Sequence, residues 1–142
     1  RLYGVVICLF SSIASARGYD ELHQSLTCFR EHLTPTGIAV VEPFFTPCSW
    51  QAGCLTHHIN VRDGQTLVRM GCSAVRGSRA LLHFHYLIGT AEGIEHVEES
   101  HEISLFTEQE MRDAFAEAGF ASVKLDAEGL ERGLYIARNS AV

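Results

Sequence analysis

Hydrophobic residues follow two different periods along this chain. The opening run, residues 2–10, is apolar at almost every position, which is typical of a strand buried on both faces in a parallel sheet. Apolar residues then recur at every third or fourth position, which predicts a helix over 20–33. We expect Pro35 and Gly37 to end that helix and residues 37–42 to form the next strand. The order strand, helix, strand predicts an α/β fold.

Between residues 55 and 106 the pattern changes to runs of β-branched and aromatic residues separated by turn signals. The spacing of these signals, about 13 to 16 residues, predicts a four-stranded antiparallel meander. The turn signals are Asp63-Gly64, Arg76-Gly77-Ser78 and Thr90-Ala91-Glu92-Gly93.

The last third returns to the helical period. Thr107 followed by Glu110 is a capping box, which predicts a helix over 107–118 that Gly119 stops. A final pair of strands is expected near 121–126 and 133–138.

Length and charge limit the classes of function. At 142 residues we expect a single domain, 1–142, with a packed core. The net charge is −6 and no two basic residues are adjacent, so the chain lacks the footprint of a nucleic-acid-binding or anionic-membrane protein.

The cysteines suggest the redox environment. There are five, scattered and never spaced as Cys-x-x-Cys, which indicates reduced thiols and a cytoplasmic protein. Residues 2–13 also carry a basic residue before them and small residues after them, as a signal peptide does. The strand pattern outweighs that interpretation.

Five dispersed sequence blocks resemble one branch of the class I S-adenosylmethionine (SAM) methyltransferases. That branch is the N-methyltransferases of nucleotide-linked 3-aminosugars, which act in the biosynthesis of macrolide amino sugars. The blocks are Cys8–Ile13 (CLFSSI), Val41–Pro43 (VEP), Phe84–Leu87 (FHYL), Leu105–Thr107 (LFT) and Arg132–Tyr135 (RGLY).

The resemblance implies a fold and a cofactor. Residues 1–50 and 107–142 would be the C-terminal half of a Rossmann-like methyltransferase sheet, and residues 51–106 an antiparallel β insertion that forms a substrate-side subdomain. The implied cofactor is SAM, and the implied substrate is a nucleotide-linked amino sugar.

The resemblance also has gaps. Within these residues we find no acidic Gly-x-Gly loop, whose backbone donors hold SAM in the family. Where the family commonly has Gly followed by Tyr or His, this chain has Ala14 and Ser15. We interpret the chain as the C-terminal part of such a protein, a fragment or a natural truncation, and expect it to bind SAM weakly by itself.

Candidate site residues follow from the resemblance and from the strand ends. Phe10, Ser11 and Ser12 end a parallel strand, where open α/β sheets bind ligands, and are the predicted cofactor-binding residues. Ser15 occupies the position nearest the sugar amine in the family, so it is a predicted catalytic residue. The alternative for Ser11 and Ser12 is that they bind no cofactor and are only the first residues of the loop that leads to the following helix.

Four further residues are predicted to bind the substrate. Glu42, Phe45 and Trp50 follow the second strand and could line a sugar pocket, since aromatic faces pack on pyranose rings. Arg132 could hold a nucleotide phosphate. The alternative for the aromatic residues is that their loop only packs on the sheet. The alternative for Arg132 is that it is an exposed residue at a turn.

Histidines alternate on one predicted hairpin. His83 and His85 share a strand face, and a turn at residues 89–92 would bring His85 opposite His96 or its neighbour, close to Glu98. Such a group could bind Zn²⁺ or act in acid-base catalysis. We favour a polar sheet face near the substrate, with His85 catalytic and no metal.

Three functions remain open at this stage. The first is a SAM-dependent sugar N-methyltransferase, complete only if the missing half is supplied. The second is a non-catalytic binding or partner protein that keeps the sugar-side sheet, and the third a SAM-independent acid-base enzyme using His83, His85 and His96. Because the opening strand would have a bare edge, we expect a homodimer or association with a chain that supplies the missing half.

Overall fold

The computed structural model describes residues 1–128 and 130–140. They form two compact units. The core unit is Arg1–Trp50 together with the chain from Ser104 onward, and the meander unit is Gln51–Ile103.

The elements follow one another in the order that the sequence patterns predict. In chain order they are β1 (Tyr3–Cys8), a 3-10 turn (Ser12–Ser15), α1 (Tyr19–Glu31), β2 (Leu33–Val41), β3 (Thr56–Arg62), β4 (Gln65–Arg76), β5 (Arg79–Thr90), β6 (Gly93–Ser104), α2 (Glu108–Glu117), β7 (Ser122–Asp126) and β8 (Leu134–Arg138). The predicted α/β class is confirmed.

The core unit contains a mixed four-stranded sheet in the order β1-β2-β8-β7. β1 and β2 are parallel, as a crossover through α1 requires, whereas β8 is antiparallel to both β2 and β7. The amphipathic faces of α1 and α2 pack on this sheet and supply the largest helical side chains of the hydrophobic core. Its largest fully buried side chains are Phe115, Leu22, Leu26, Met111 and Val41.

β1 has the apolar pattern of a strand buried on both faces, but in the described sheet it has the bare edge that we expect without a neighbouring strand. β1 is an edge strand of the described sheet and pairs with β2 alone, so Val5 and Ile7 are 48% and 61% exposed. An apolar strand on an edge leaves a row of backbone donors and acceptors open.

The start of β2 also differs from the prediction. β2 begins at Leu33 and includes Pro35 and Gly37, because a break in the β1–β2 register between Tyr3 and Val5 accommodates the extra residues. At Gly37 an added Cβ would lie 2.9 Å from the Leu33 side chain, so the bulge needs glycine there. Helix α1 correspondingly ends at Glu31 rather than residue 33.

The meander unit is a four-stranded sheet in the order β3-β4-β5-β6. The predicted turn at Asp63-Gly64 is confirmed: Arg62 pairs with Gln65, and both turn residues have positive φ, 49° and 77°, as a type I′ turn requires. Arg76 likewise pairs with Arg79 across the next predicted turn.

The capping box of α2 is confirmed. Glu110 N–H donates to Thr107 Oγ1 at 3.1 Å, while Thr107 N–H donates to the Glu110 carboxylate at 2.7 Å. Gly119, with φ of 86°, ends the helix as predicted. No helix among the described residues is long and apolar enough to cross a bilayer.

Candidate functional site

A buried carboxylate occupies the carboxyl end of the parallel strand pair. Glu42 follows β2 directly, is 5% exposed, and its N–H donates to the Cys8 carbonyl at 2.8 Å. Its side chain accepts from Phe10 N–H at 2.7 Å and from Arg132 Nη2 at 2.5 Å. Glu42 therefore joins both parallel strand ends to a segment 90 residues further along the chain.

The loop after β1 has a strained backbone that these contacts hold in place. Phe10 and Ser11 have φ of 54° and 57°, a left-handed conformation that costs non-glycine residues free energy. Ser11 Oγ donates to the Pro43 carbonyl at 2.7 Å. The Phe10 ring, 88% exposed, therefore projects from a fixed backbone.

The predicted cofactor-binding serines both have hydrogen-bond partners within the protein. Ser12 Oγ donates to the Leu9 carbonyl at 2.7 Å, within the connection between β1 and the 3-10 turn. Ser11, through Pro43, instead joins that connection to the segment after β2. Ser15 is exposed at the end of that turn. A cofactor contact from Ser11 or Ser12 would thus compete with an existing hydrogen bond.

Arg132 is the second charged group of this site. Its guanidinium lies 5.6 Å from the Phe45 ring centroid, a cation–π distance, and pairs with Glu42. Its Nε is buried without a hydrogen-bond partner among the described residues. Because guanidinium carries five donors, Arg132 retains capacity for an anionic or hydroxyl ligand.

An aromatic cluster adjoins Arg132. Phe45 and Trp50 have ring centroids 5.5 Å apart, and Phe44 packs on both. Trp50 Nε1 is a second buried donor that has no partner in the described part of the chain. Phe45 and Trp50 are therefore in one cluster. The cluster contains one of the two donors just described, Trp50 Nε1, and adjoins the other, Arg132 Nε.

A cavity of about 320 Å³ opens beside this cluster. Its walls combine aromatic residues, among them Phe45 and Tyr135, with aliphatic and polar ones, and carry charge from Glu108, Glu131 and Arg132. Burial, reinforced by Glu108, raises the pKa of Tyr135 in the wall to about 12. The Tyr135 phenol is therefore a neutral hydroxyl at physiological pH.

Cys8 lies at the end of β1, beside this site. Burial raises the pKa of its thiol, and the Glu42 carboxylate acts in the same direction, although a backbone hydrogen bond at Ile13 opposes them. This environment disfavours the thiolate, which is the nucleophilic form of cysteine.

The predicted histidine pairing lies in the meander unit and is confirmed. His85 Nδ1 is 3.0 Å from His96 Nε2, and the two rings are stacked with an interplanar angle of 5°. His83 and Glu98 are in the same group.

Sequence reasoning found the members of the core-unit site but missed two of their contacts. The Glu42–Arg132 ion pair and the bond from Phe10 N–H to Glu42 both connect distant segments. A usable signal was present, since a carboxylate directly after a buried strand needs a cationic or N–H partner.

The chain is similar to known proteins in sequence and in structure. No protein-family model matches the sequence. The chain is 35% identical over 136 residues to the dTDP-3-amino-3,6-dideoxy-alpha-D-glucopyranose N,N-dimethyltransferase of Streptomyces fradiae, over 95% of this chain and 53% of that enzyme.

Two solved structures of related proteins have a fold similar to that of this chain. DesVI of Streptomyces venezuelae has a TM-score of 0.91 at 31% identity, covering 96% of this chain and 58% of DesVI. SAM-bound CalS10, an amino pentose methyltransferase of calicheamicin biosynthesis from Micromonospora echinaspora, has a TM-score of 0.89 at 26% identity, covering 98% and 59%.

Over almost its whole length the chain is similar in sequence to dTDP-aminosugar N,N-dimethyltransferases and in fold to sugar N-methyltransferases. This confirms the resemblance recognised from the five sequence blocks. The chain spans about half the length of the curated relatives it matches, 53% and 58% for two of them.

Proposed function

We propose that this chain forms the amino-sugar side of a SAM-dependent N-methyltransferase that acts on a nucleotide-linked amino sugar. The main support is the Glu42 carboxylate, which is fixed at the strand ends by Phe10 N–H and Arg132. The relatives' names supply the substrate class, since the Streptomyces fradiae enzyme acts on a dTDP-linked 3-amino sugar.

Methyl transfer needs orientation more than side-chain chemistry. SAM, when bound, supplies an electrophilic methyl group, and the amine must meet it with a free lone pair and in line with the bond that breaks. We propose that Phe10, Ser11 and Ser12 border the cofactor from the rigid loop after β1. Their fixed backbone limits how far the reacting atoms could drift.

The substrate contacts are assigned by their chemistry. Arg132, with an unused Nε donor, would bind a phosphate oxygen of the nucleotide. Phe45 and Trp50 would pack on the sugar ring, and Glu42 would keep the guanidinium in position and attract the sugar ammonium.

His85 and Ser15 stay our predicted catalytic residues. Both are accessible to solvent, with the His85 side chain 42% exposed. An imidazole has the right pKa range to accept the proton that the amine loses on methylation. A cytoplasmic location likewise stays a prediction.

The binding proposal is tested by calorimetric titration with dTDP, which has the nucleotide diphosphate without the sugar. We expect Arg132→Ala to weaken binding by about 1–3 kcal/mol, as the loss of a charged hydrogen bond does. Arg132→Lys should recover part of the loss because it keeps the charge but not the planar fork.

The matched control is Arg62→Ala, which removes an exposed arginine of the β3–β4 turn and should leave dTDP binding unchanged. Circular dichroism checks that each variant folds. If Arg132→Ala binds dTDP as wild type does, the phosphate site is elsewhere.

Titration with SAM is a second test. We expect the 142-residue polypeptide to bind SAM weakly, because the donors of a glycine-rich loop are not among its residues. Micromolar affinity at ordinary stoichiometry in calorimetry would contradict this.

A second candidate function is a non-catalytic binding partner. The exposed apolar edge of β1 favours it, because such an edge pairs readily with another strand. We propose that the chain associates through β1, with a second copy or with a chain that supplies further strands.

A further inference from the structure

Three imidazoles and one carboxylate meet on one face of the meander sheet. His83 and His85 alternate along β5, and His96 and Glu98 alternate along β6. Since every second residue of a strand points to the same face, the hairpin brings all four side chains together. We propose that they form a Zn²⁺ site. This use of His85 is an alternative to its role as a base, because a metal-bound imidazole nitrogen has no free lone pair to accept a proton.

The distances leave room for one ion. His85 Nδ1, His96 Nε2 and Glu98 Oε1 form a triangle with sides of 3.0, 3.6 and 3.8 Å. The point equidistant from three such atoms lies about 2.0 Å from each, which is the usual length of zinc bonds to histidine nitrogen and carboxylate oxygen.

The carboxylate of the cluster is not hydrogen-bonded to the imidazoles. Glu98 lies 3.6–3.8 Å from the three imidazole nitrogens nearest to it, beyond the range of a good N–H···O bond. Two ligands on one ion are about 3.3 Å apart in a tetrahedron with 2.0 Å bonds, which is between these separations and the 3.0 Å hydrogen bond from His85 to His96. An ion would therefore replace that hydrogen bond and draw the carboxylate slightly closer.

His83 is positioned by a neighbour to complete the set. Its Nδ1 lies 2.7 Å from Ser100 Oγ, and its Nε2 faces Glu98 Oε2 at 3.7 Å. Metal-binding histidines characteristically engage their second ring nitrogen in this way, which fixes the ring and the tautomer. Ser100 is thus a positioning residue of the site.

The donor set selects the class of metal. Imidazole nitrogen suits Zn²⁺, Cu²⁺ and Ni²⁺, and a carboxylate adds the negative charge that favours a cation. The four side chains are 40–54% exposed, so an ion can enter from solvent.

The test is a Zn²⁺ titration of the full chain, stripped with a chelator, in competition with a chromophoric chelator. We expect one Zn²⁺ per chain, and at least tenfold weaker binding in His85→Ala and in Glu98→Gln. Ser100→Ala should weaken binding by about tenfold through loss of ring positioning. Co²⁺ should give the visible absorption of a four-coordinate site.

The matched control is His101→Ala. His101 lies on the opposite face of β6 and pairs with another carboxylate, Glu99, at 3.0 Å, so its loss should leave Zn²⁺ affinity unchanged. Cys72→Ser is a second control, because Cys72 pairs with His83 across the β4–β5 ladder. Circular dichroism confirms that each variant is folded.

Three outcomes would overturn the proposal. They are wild-type protein without stoichiometric Zn²⁺, His101→Ala losing as much affinity as His85→Ala, and a thiolate band in the Co²⁺ spectrum that Cys72→Ser removes.

Discussion

The two units of this chain use hydrophobic residues in opposite ways. In the core unit the largest apolar side chains, such as Phe115 and Leu26, are completely buried. In the described part of the meander unit Ala80 is the only buried hydrophobic residue, and Ile59 and Val61 are 59% and 71% exposed. The comparison suggests that burial specifies the first unit, whereas strand pairing and cross-strand contacts specify the second.

The two units therefore differ in what stabilises them and in where they carry polar groups. The meander sheet has little hydrophobic core, so the hydrogen bonds between its strands supply most of its stability. Its face can therefore carry polar groups such as the histidine cluster. The core unit instead keeps its polar site at the strand ends, outside the packed interior.

The largest effect is expected in the core. Phe115→Ala should lower the free energy of unfolding by about 3–5 kcal/mol, because it leaves a cavity in a fully packed interior. Val61→Ala, on an exposed face of β3, should change it by less than about 0.5 kcal/mol. Urea denaturation measures both. Equal costs would break the contrast between the units.

Hydrogen exchange sharpens the contrast without mutation. We expect amides of β4 and β5 to exchange through openings that cost about 2 kcal/mol less than those of α1 and β2, since few buried apolar contacts hold the meander. Native-state exchange read by NMR gives both values. Uniform protection across the two units would show that they unfold together.

A smaller effect concerns the edge strand. Replacing Val5 and Ile7 together by Lys should weaken self-association at least tenfold, or about 1.4 kcal/mol, because charges on an edge strand oppose pairing. Sedimentation over a concentration range gives the constant. Lysines at Ile59 and Val61, in the other unit, are the control. A wild-type monomer at tens of micromolar would refute association through β1.

The smallest effect depends on pH. Burial raises the pKa of Tyr135 above that of an unfolded tyrosine, about 10, to about 12. The neutral phenol therefore stabilises the fold fully below pH 10, and this stabilisation is lost as pH rises from 10 to 12.

Tyr135→Phe should reduce this alkaline loss, measured by urea denaturation at several pH values. It should not abolish it, because burial also raises the pKa of Tyr19 to about 12. Tyr3→Phe, at an exposed position, is the control. An unchanged slope in Tyr135→Phe would contradict the assignment.

Sequence reasoning worked best where the determining contacts were local. The capping box of α2, the turn at Asp63-Gly64 and the pairing of His85 with His96 all depend on residues close in sequence. Each could be predicted from spacing alone.

It failed where distant segments decide the outcome. The apolar pattern of β1 predicts a strand, but its bare edge could be inferred only from the missing neighbour that the family resemblance implies, not from the pattern itself. Pro35 and Gly37 indicated a break, yet a bulge keeps them within β2. The Glu42–Arg132 pair spans 90 residues, a distance over which spacing carries no information.

The position of β8 has a consequence for biosynthesis. β8 lies between β2 and β7, so residues 134–138 must be inserted next to a strand that leaves the ribosome about 100 residues earlier. Until then β2 has one open side, and β7 has no partner among the described strands. We therefore expect the core unit to fold late in synthesis, at a rate that the long-range pairing of β8 with β2 limits. Until then the nascent chain should benefit from a chaperone.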